Sequence, residues 1–326
     1  MDLTTKYMGL SLSSPLIVSS SGLTNSAENV ELCARHGAGA VVLKSLFEEQ
    51  MISDIHKLQK QDEMFFWYPE AVDYINKFSK EEGTDAYLKL IRNCKKAVDI
   101  PVIASINCTT PGEWPAFAGS IQEAGADGLE LNIYLPPMES DVSCNQIEDT
   151  YTRIIDEVLK NVTIPVAVKT GYYFTNPVHM LTSLSQSGVS GLVLFNRFFS
   201  PDIDIDHFDV AGSNIYSAEE EMLQSLRWIA LLSNKVSCDL SASTGIHNHT
   251  GVIKELLVGA TTTQLCSTLY QNGIEYLSEI RQGLTDWMKK HRFNKIEDFR
   301  GLVTKYEQHT GAFERLQFMK KAVGDF

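Results

Sequence analysis

Short apolar runs recur along the whole chain, and each is bounded by glycine, proline or small polar residues. Most of them are nearly continuous in β-branched and aliphatic residues, which is typical of parallel strands that are covered on both faces. The pattern predicts eight strands, at residues 15–21, 39–45, 101–107, 128–134, 165–170, 191–196, 237–243 and 261–267.

Segments with helical spacing of apolar residues lie between these runs, for example AENVELCARHG, EWPAFAGSIQEAG, YTRIIDEVLKN and EEMLQSLRWIALLSN. Four helices are expected to end at a glycine shortly before the next strand, at Gly37, Gly125, Gly188 and Gly259. Strand, helix and turn repeat eight times, so residues 1–326 are predicted to form one α/β domain, a single (β/α)8 TIM barrel. A doubly wound open sheet is the main alternative, but its glycine fingerprint GxGxxG is absent after the first strand.

Two segments fall outside the regular repeat. Residues 46–83 separate the second strand from its helix, and an insertion of this length at the carboxyl end of a strand is more often a lid than a structureless loop. Residues 291–326 form a polar, partly helical C-terminal extension, which we expect to pack on the barrel or to contact another subunit.

Composition narrows the class of function. The formal net charge of −13 disfavours binding to a phosphate backbone, and no basic stripe offsets it. No signal-peptide pattern and no apolar run of about 18 residues is present, so a cytoplasmic protein without a membrane span is expected. No metal site is expected either, because the six cysteines are scattered without metal-ligand spacing and are interpreted as reduced thiols: Cys33, Cys94, Cys108, Cys144, Cys238 and Cys266.

Polar residues stand at the carboxyl ends of the predicted strands, where TIM barrels carry their catalytic groups. Any one hydroxyl or amide there could instead cap a helix. Lys44 and Lys169 close apolar strands, where an unpaired ammonium is costly, so anions or electron-rich carbonyls are expected between them. The other members are Ser20, Ser21, Gly22, Ser45, Asn107, Asn132, Thr170, Asn196, Arg197, Ser243, Thr244, Gly245, Cys266, Ser267 and Thr268.

The segments SASTGIHNHTG and LCSTLYQNG place small residues and hydroxyls where helices begin after the last two strands. This is the usual phosphate site of TIM barrels, because backbone N–H groups at a helix start can hold a phosphate. Small residues also occur there in barrels that bind no phosphate, so both interpretations stand.

The ordered motifs SSG, KS, ELN, VAVK, FN, TGI and GATTTQL resemble those of the flavin-dependent dihydroorotate dehydrogenases, and class 1 is the most similar. The resemblance covers about residues 1–295 and implies FMN across the barrel mouth, a role in pyrimidine metabolism and a homodimer. By position it implies that Lys44 and Asn132 lie near the substrate and have catalytic roles. Tyr134 and Arg197 are added as catalytic candidates on their own chemistry, because the family has other residues at these positions. It places the flavin ring and its edge beside Ser20, Ser21, Gly22, Lys44, Ser45, Asn132, Lys169 and Asn196, and the ribityl phosphate beside Thr244, Gly245, Cys266 and Ser267.

The chain departs from this family on the substrate side. In class 1 the loop after the fourth strand carries a cysteine that acts as the base, and here the matching residue is Leu135, which cannot accept a proton. Pro137 replaces an asparagine, and Arg197 replaces a serine. Residues 62–66 stand roughly where the family has its asparagine-containing substrate segment. The flavin half of the site therefore looks kept, while the substrate half is rewritten. Two substrates stay open: dihydroorotate itself, against which Leu135 and Pro137 count, and a different substrate that undergoes a related C–C desaturation or C=C reduction.

Arg197 has two possible roles: it would bind a substrate carboxylate or phosphate, or form an ion pair with an acid of the insertion such as Glu48 or Glu49.

Several side chains are alternatives for the proton chemistry. The candidate acids and bases are Tyr134, Tyr172, Tyr173, Cys144, His56, Glu48, Glu49 and Asp62.

Three functions remain open from the sequence. The first is an FMN-dependent oxidoreductase that transfers hydride between a CH–CH or C=C bond of a small anionic substrate and flavin N5. The second is a flavin-independent barrel lyase, aldolase or isomerase that acts on a phosphorylated substrate through Lys44 or Lys169. The third is a flavin-carrying electron-transfer subunit; without a CxxC-rich segment, any iron–sulfur centre would be on a separate partner.

Overall fold

The computed structural model describes residues 1–47, 83–108, 114–135, 140–198, 201–212, 215–305 and 313. Its strands are β1 Thr5–Tyr7, β2 Leu10–Leu12, β3 Leu16–Val18, β4 Ala40–Val42, β5 Leu46–Phe47, β6 Val102–Cys108, β7 Gly128–Ile133, β8 Val166–Thr170, β9 Gly191–Leu194, β10 Pro201–Asp204, β11 Asp209–Gly212, β12 Asp239–Ser243 and β13 Thr262–Leu265. Its helices are α1 Ala27–Arg35, α2 Gly83–Ala97, α3 Trp114–Glu123, α4 Cys144–Leu159, α5 Pro177–Gln186, α6 Met222–Leu232, α7 His249–Leu257, α8 Ser267–Asn272 and α9 Tyr276–His291.

Eight parallel strands close into a barrel, in the order β3, β4, β6, β7, β8, β9, β12 and β13, with β13 pairing back to β3. The predicted TIM barrel is therefore confirmed. The four predicted helix-ending glycines, Gly37, Gly125, Gly188 and Gly259, all have positive φ angles, from 97° to 112°. That left-handed conformation reverses the chain after a helix at little cost for glycine alone.

The barrel interior is layered. Its lower layer is apolar and includes Ile17, Val42, Ile103 and Val193. Because strand side chains alternate between the two faces, the next inward positions belong to polar residues near the strand ends. The alternation of side chains along the strands therefore places an apolar layer directly below a polar rim.

An N-terminal hairpin closes the bottom of the barrel, and the sequence analysis did not predict it. Strands β1 and β2 pair antiparallel, and Tyr7 and Leu12 pack into the lower layer. Burial raises the pKa of Tyr7 well above its ordinary value, and the nearby Glu130 and Asp239 add to the shift. The phenol of Tyr7 therefore stays protonated inside the barrel.

A second unpredicted hairpin, β10–β11, follows the sixth barrel strand, so the expectation of only two irregular segments was wrong. Its sequence PDIDIDHFDVAG alternates acidic and apolar residues and lacks the continuous apolar run of a buried strand. Ile203, Ile205, Phe208 and Val210 are all exposed on it.

The two predicted irregular segments are described only in part. Leu46 and Phe47 open the insertion as the short strand β5, which pairs with β6, and residues 48–82 lie outside the described residues. Residues 291–305 of the C-terminal extension pack on the barrel. Ile296 and Phe299 are fully buried, and Gly301 N–H donates to Leu256 O at 2.9 Å. In the part of the chain that the structure describes, no helix has the length and apolarity that a membrane span requires.

One buried acid lies in the helix layer. Glu255 of α7 has no exposed surface, accepts a hydrogen bond from Ser225 Oγ at 2.6 Å, and its Oε2 has no hydrogen-bond partner among the described residues. Burial raises the pKa of Glu255 to about 8, against a smaller lowering by the Ser225 hydrogen bond.

Candidate active site

Three polar side chains stand side by side at the top of the barrel. The strand register pairs Asn107 with Asn132, and Asn132 with Lys169. All three are buried, with at most 7% of their surface exposed. The side-chain amide nitrogen of Asn107 has no hydrogen-bond partner among the described residues. A buried donor without an acceptor costs about 1–3 kcal/mol, so this position suits a ligand oxygen or ring nitrogen.

Lys169 enters a chain of buried polar groups that the sequence analysis did not predict. Its Nζ donates to Ser19 Oγ at 3.2 Å, and the Ser19 hydroxyl donates to Gln264 Oε1 at 3.0 Å. Gln264 Nε2 then donates to Glu130 Oε2 at 2.6 Å. Burial raises the pKa of Glu130, while the charge of Lys169 and the Gln264 hydrogen bond lower it. A glutamate inside the run GLELN was the available sequence signal.

A hydroxyl network holds together the side of the barrel mouth formed by β3, β4 and β6. Ser20 Oγ lies 2.9 Å from Ser45 Oγ, which lies 2.8 Å from Ser105 Oγ. Tyr87 Oη accepts from Ser105 N and donates to Ser105 O. This network joins the ends of β3, β4 and β6, and it positions the backbone that carries the buried Lys44. The hydroxyls of Ser20 and Ser45 thus have a structural role, whatever else they contact.

Ser21 and Gly22 begin the short 3-10 helix Gly22–Thr24, for which Ser21 is the N-cap. The Ser21 hydroxyl accepts from Leu23 N at 3.2 Å, so the helix-capping alternative holds for this side chain. A Cβ added at Gly22 would lie 2.7 Å from Tyr270 Oη. Glycine therefore allows the Tyr270 hydroxyl to lie close to the backbone at this position.

Asn132 and Asn196 meet across the site. The Asn196 Nδ2 donates to Asn132 Oδ1 at 3.1 Å, which leaves the Asn132 amide nitrogen directed elsewhere. Such a pair fixes the orientation of both amides and presents donors and acceptors in a defined pattern. The structure therefore brings together these two predicted cofactor contacts.

A second group of small residues forms a cradle at the ends of β12 and β13. Ser217 Oγ accepts from Gly245 N at 3.3 Å, donates to Ser267 Oγ at 3.1 Å and lies 3.2 Å from His247 Nε2. The Ser217 N–H donates to Ser267 Oγ at 3.0 Å, and Cys266 is the N-cap residue of α8. Ser217 and His247 were missed, because Ser217 follows the unpredicted hairpin.

Gly245 allows this cradle to form. Its φ angle is 74°, and an added Cβ would collide with the backbone nitrogen of Met222. Thr244 precedes it with a φ angle of 80° and donates from its hydroxyl to Phe195 O at 3.0 Å. A left-handed threonine is strained, so the fold holds this turn in place at a cost in stability.

Arg197 is tied to the segment that returns from the hairpin. Its Nε donates to Glu221 Oε2 at 2.8 Å, and its Nη1 donates to Ile215 O at 2.9 Å. An ion pair was one of two predicted alternatives, and the partner shown here is Glu221. Glu48 and Glu49, the acids named in that prediction, lie outside the described residues. A contact between Arg197 and a substrate anion stays a prediction.

The residues considered for proton chemistry separate into three cases. Leu135 packs against the core, and Tyr134 is buried and stacks on Phe198 with ring centroids 4.2 Å apart. Burial raises the pKa of Tyr134, so its phenol is a poor base. Cys144 is exposed at the start of α4. His56 and Asp62 lie outside the described residues.

Tyr172 and Tyr173 form an aromatic rim in the loop after β8. Their hydroxyls lie 3.2 Å apart, and both rings are more than a third exposed. Burial of part of the ring, the Tyr172 hydrogen bond and the neighbouring phenols raise the pKa of Tyr173 to about 12. A phenol with a raised pKa donates a proton weakly and rarely accepts one, so this pair suits hydrogen bonding to a substrate better than acting as a base.

Taken together, the mouth of the barrel holds a buried ammonium, three amides of which that of Asn107 has a nitrogen left unsatisfied by the described residues, and a glycine-based cradle. These groups suit a flat, carbonyl-bearing ring that carries an anionic tail. Hydrogen-bond donors of this kind stabilise negative charge that develops on such a ring.

Comparison with known proteins places these features in a family. The family model for dihydroorotate dehydrogenase matches residues 2–288. The chain is 24% identical over 313 residues to a dihydroorotate dehydrogenase B (NAD(+)) catalytic subunit of Thermoplasma volcanium, an alignment that covers 93% of this chain and 99% of the relative. It is 25% identical over 301 residues to the protein of that description from Pyrococcus abyssi, covering 91% and 97%. It is 24% identical over 325 residues to the NAD-dependent dihydropyrimidine dehydrogenase subunit PreA of Escherichia coli, covering 93% and 77%.

Proposed function

Because the chain belongs to the dihydroorotate dehydrogenase family, we propose that it is an FMN-dependent oxidoreductase acting on a CH–CH or C=C bond of a small anionic substrate. Bound FMN would accept or deliver a hydride at its N5 atom. The relatives named above are a dihydroorotate dehydrogenase catalytic subunit and a dihydropyrimidine dehydrogenase subunit, which supports a redox reaction at such a bond.

The observation that carries this proposal is the buried Lys169. It is 7% exposed, and Ser19 Oγ is the one hydrogen-bond acceptor that the described residues provide for its ammonium. An ammonium has three N–H donors, so two remain for a ligand. A flavin pyrimidine carbonyl and the adjacent ring nitrogen fit those donors, and a cation there favours the reduced, anionic ring.

The cradle at Gly245 suits the ribityl phosphate. Backbone N–H groups, the hydroxyls of Ser217 and Ser267 and the ring of His247 converge there, and they can exchange their mutual hydrogen bonds for phosphate oxygens. Asn132, Asn196 and the unsatisfied amide of Asn107 would then lie beside the ring.

The proposed substrate differs from dihydroorotate. Leu135 stands at the position of the family's base and packs against the core, so this side chain removes no proton. We assign Lys44 to the substrate or the flavin edge, and the proton to a rim tyrosine, to a residue of the insertion 46–83 or to water. Arg197, if released from Glu221, would bind the substrate anion.

The proposal predicts a yellow protein that binds FMN tightly through the cradle. Replacing Gly245 by alanine is expected to weaken FMN binding at least a hundredfold, because the new Cβ meets the Met222 backbone and the φ angle of 74° is strained for alanine. Flavin fluorescence titration of the apoprotein measures this. Gly83→Ala is the control, since no atom of the described residues lies within 4 Å of a Cβ added there. A wild-type protein that binds no FMN would reject the proposed function.

Anaerobic mixing of the yellow protein with dihydroorotate then tests the substrate. The flavin absorbance is expected to stay unbleached, while a reductant such as dithionite bleaches it. Rapid bleaching by dihydroorotate would show that the reaction of the relatives is retained despite Leu135, and would overturn only the substrate part of the proposal.

A homodimer is part of the proposal, and the β10–β11 hairpin supports it. Ile203 and Val210 are directly opposite each other on one face, and Ile205 and Phe208 at the turn are 77% and 92% exposed. Contiguous exposed apolar side chains of this kind mark contact surfaces. The relatives' descriptions as subunits also support a separate electron-transfer partner.

The double variant Ile205→Asp, Phe208→Asp is expected to convert the dimer to a monomer, with a dimer dissociation constant raised at least a hundredfold. The reason is that the dimer of this variant would bury two charged carboxylates per subunit in an apolar contact, which costs free energy. Light scattering after size-exclusion chromatography gives the mass, and Asp206→Ser in the same turn is the control. A variant that keeps the dimer mass would exclude the hairpin from the interface.

A further inference from the structure

A fully buried glutamate stands inside the barrel, below the proposed flavin site. Glu130 is 1% exposed and lies on β7, two residues before Asn132. Its Oε2 accepts from Gln264, and its Oε1 has no hydrogen-bond partner among the described residues. A buried charge is retained at such a cost only when a partner of opposite charge is near, and Lys169 is that partner.

The hydrogen bonds between Lys169 and Glu130 all run in one direction. The ammonium donates to Ser19 Oγ, the Ser19 hydroxyl donates to Gln264 Oε1, and Gln264 Nε2 donates to the carboxylate. Each group acts as a donor on one side and an acceptor on the other, so the chain begins at a cation and ends at an anion. Hydrogen bonds in such a series polarise and strengthen one another.

The members come from four separate strands or strand ends. Ser19 follows β3, Glu130 is on β7, Lys169 is on β8 and Gln264 is on β13. Ser19 and Gln264 are 3% and 2% exposed, so water does not screen the charges at either end. The carboxylate therefore acts on the ammonium, and on any ring above it, through a medium of low polarity.

We propose that Glu130 is a positioning residue for the cofactor: through Gln264 and Ser19 it fixes the Lys169 ammonium against the flavin ring and limits the positive charge that the ring meets. This inference rests on the proposed function and extends it to the control of the flavin's reduction potential. A more negative potential suits an enzyme that delivers hydride from flavin to a C=C bond.

The chain offers a control for the replacement of a buried glutamate. Glu255 is also fully buried, accepts one short hydrogen bond from a hydroxyl and has one oxygen without a partner. It lies in the helix layer on α7. Burial and the Ser225 hydrogen bond determine its pKa, and no lysine of the described residues contributes. Glu130→Gln and Glu255→Gln therefore replace a buried glutamate by the same amide, at the end of the Lys169 chain and away from it.

Sulfite provides a probe of the charge at the ring, since it adds to flavin N5 and leaves a negative charge on the ring. In Glu130→Gln the amide oxygen keeps the Gln264 hydrogen bond while the negative charge is lost. At pH 8, which favours the carboxylate form of Glu130 although burial raises its pKa, the sulfite dissociation constant of the FMN-bound protein is expected to fall at least tenfold. Tighter sulfite binding and a more positive midpoint potential both report stabilisation of negative charge on the ring.

The outcomes separate this inference from the proposed function. Glu255→Gln is expected to match the wild type in sulfite affinity. If the wild type binds FMN and Glu130→Gln also matches it within twofold, the inference is rejected and the proposed function stands. If the wild type binds no FMN, both are rejected.

A second variant decides the question if Glu130→Gln does not fold. Ser19→Ala keeps both charges and removes the hydroxyl between them, so the ammonium is no longer held. Its sulfite dissociation constant is expected to rise at least threefold, opposite in direction to Glu130→Gln. An unchanged sulfite affinity in folded, FMN-bound Ser19→Ala would overturn the inference.

Discussion

Exchanging Lys169 for methionine is expected to make the midpoint potential of the bound FMN about 80 mV more negative. A unit charge at contact distance from an anion contributes about 4 kcal/mol at the effective dielectric constant of a protein site, and about 1.4 kcal/mol corresponds to 30 mV for two electrons. Loss of the cation destabilises the reduced, anionic ring more than the neutral oxidised ring, so the midpoint potential becomes more negative. Methionine retains an unbranched side chain of similar length, so the packing around the buried position changes little.

Anaerobic reductive titration against a reference dye measures this potential. Lys89→Met, at an exposed position of α2, is the control and should leave the potential unchanged. A Lys169→Met protein that binds FMN with the wild-type potential would show that the ammonium does not face the ring. The proposed role of Lys169 would then have to be abandoned.

The second large effect concerns stability and arises far from the site, at Glu255. Its pKa is raised to about 8 in the folded chain from 4.5 in the unfolded chain. Below pH 4.5 the acid is protonated in both states and imposes no penalty. Between pH 4.5 and 8 only the unfolded chain ionises, so the free energy of unfolding falls by about 1.4 kcal/mol per pH unit. The penalty reaches roughly 3 kcal/mol at pH 7.

Glu255→Gln removes this titration, so the variant is expected to gain on the wild type as pH rises from 5 to 8. The gain at pH 7 is expected to be about 2–3 kcal/mol, reduced by the buried amide nitrogen that the glutamine introduces. Urea unfolding at several pH values gives the free energies, with Glu123→Gln at an exposed position as the control. Parallel curves for wild type and Glu255→Gln would contradict the assigned burial.

The order of the elements was predictable because it depends on local patterns. Runs such as VIASINC and GLELNI are rich in aliphatic residues, and they became β6 and β7. The turns after helices need a left-handed backbone conformation, which is a local requirement that favours glycine. Gly125 and Gly259 both adopt it, with positive φ angles. The two hairpins were missed, because short strands with alternating polarity carry a weak signal.

The site was predictable at its rim and unpredictable beneath it. Lys44, Asn132 and Lys169 were found because each ends an apolar strand. Glu130 lies within its strand, where a single polar residue does not reveal its partner. Ser217 depends on a hairpin whose course the sequence does not show.

The sequence alone determined the barrel, the polar rim and the family resemblance, since alternation, turn residues and ordered motifs are local properties of the chain. Tertiary structure alone decided that Ser19 meets Gln264, 245 residues away, and that Gln264 meets Glu130 across 134 residues. It also decided that Arg197 pairs with Glu221. Closure of the barrel brings β13 beside β3 and directs the inward side chains of all strands to one axis, and only that geometry makes partners of residues so distant in sequence.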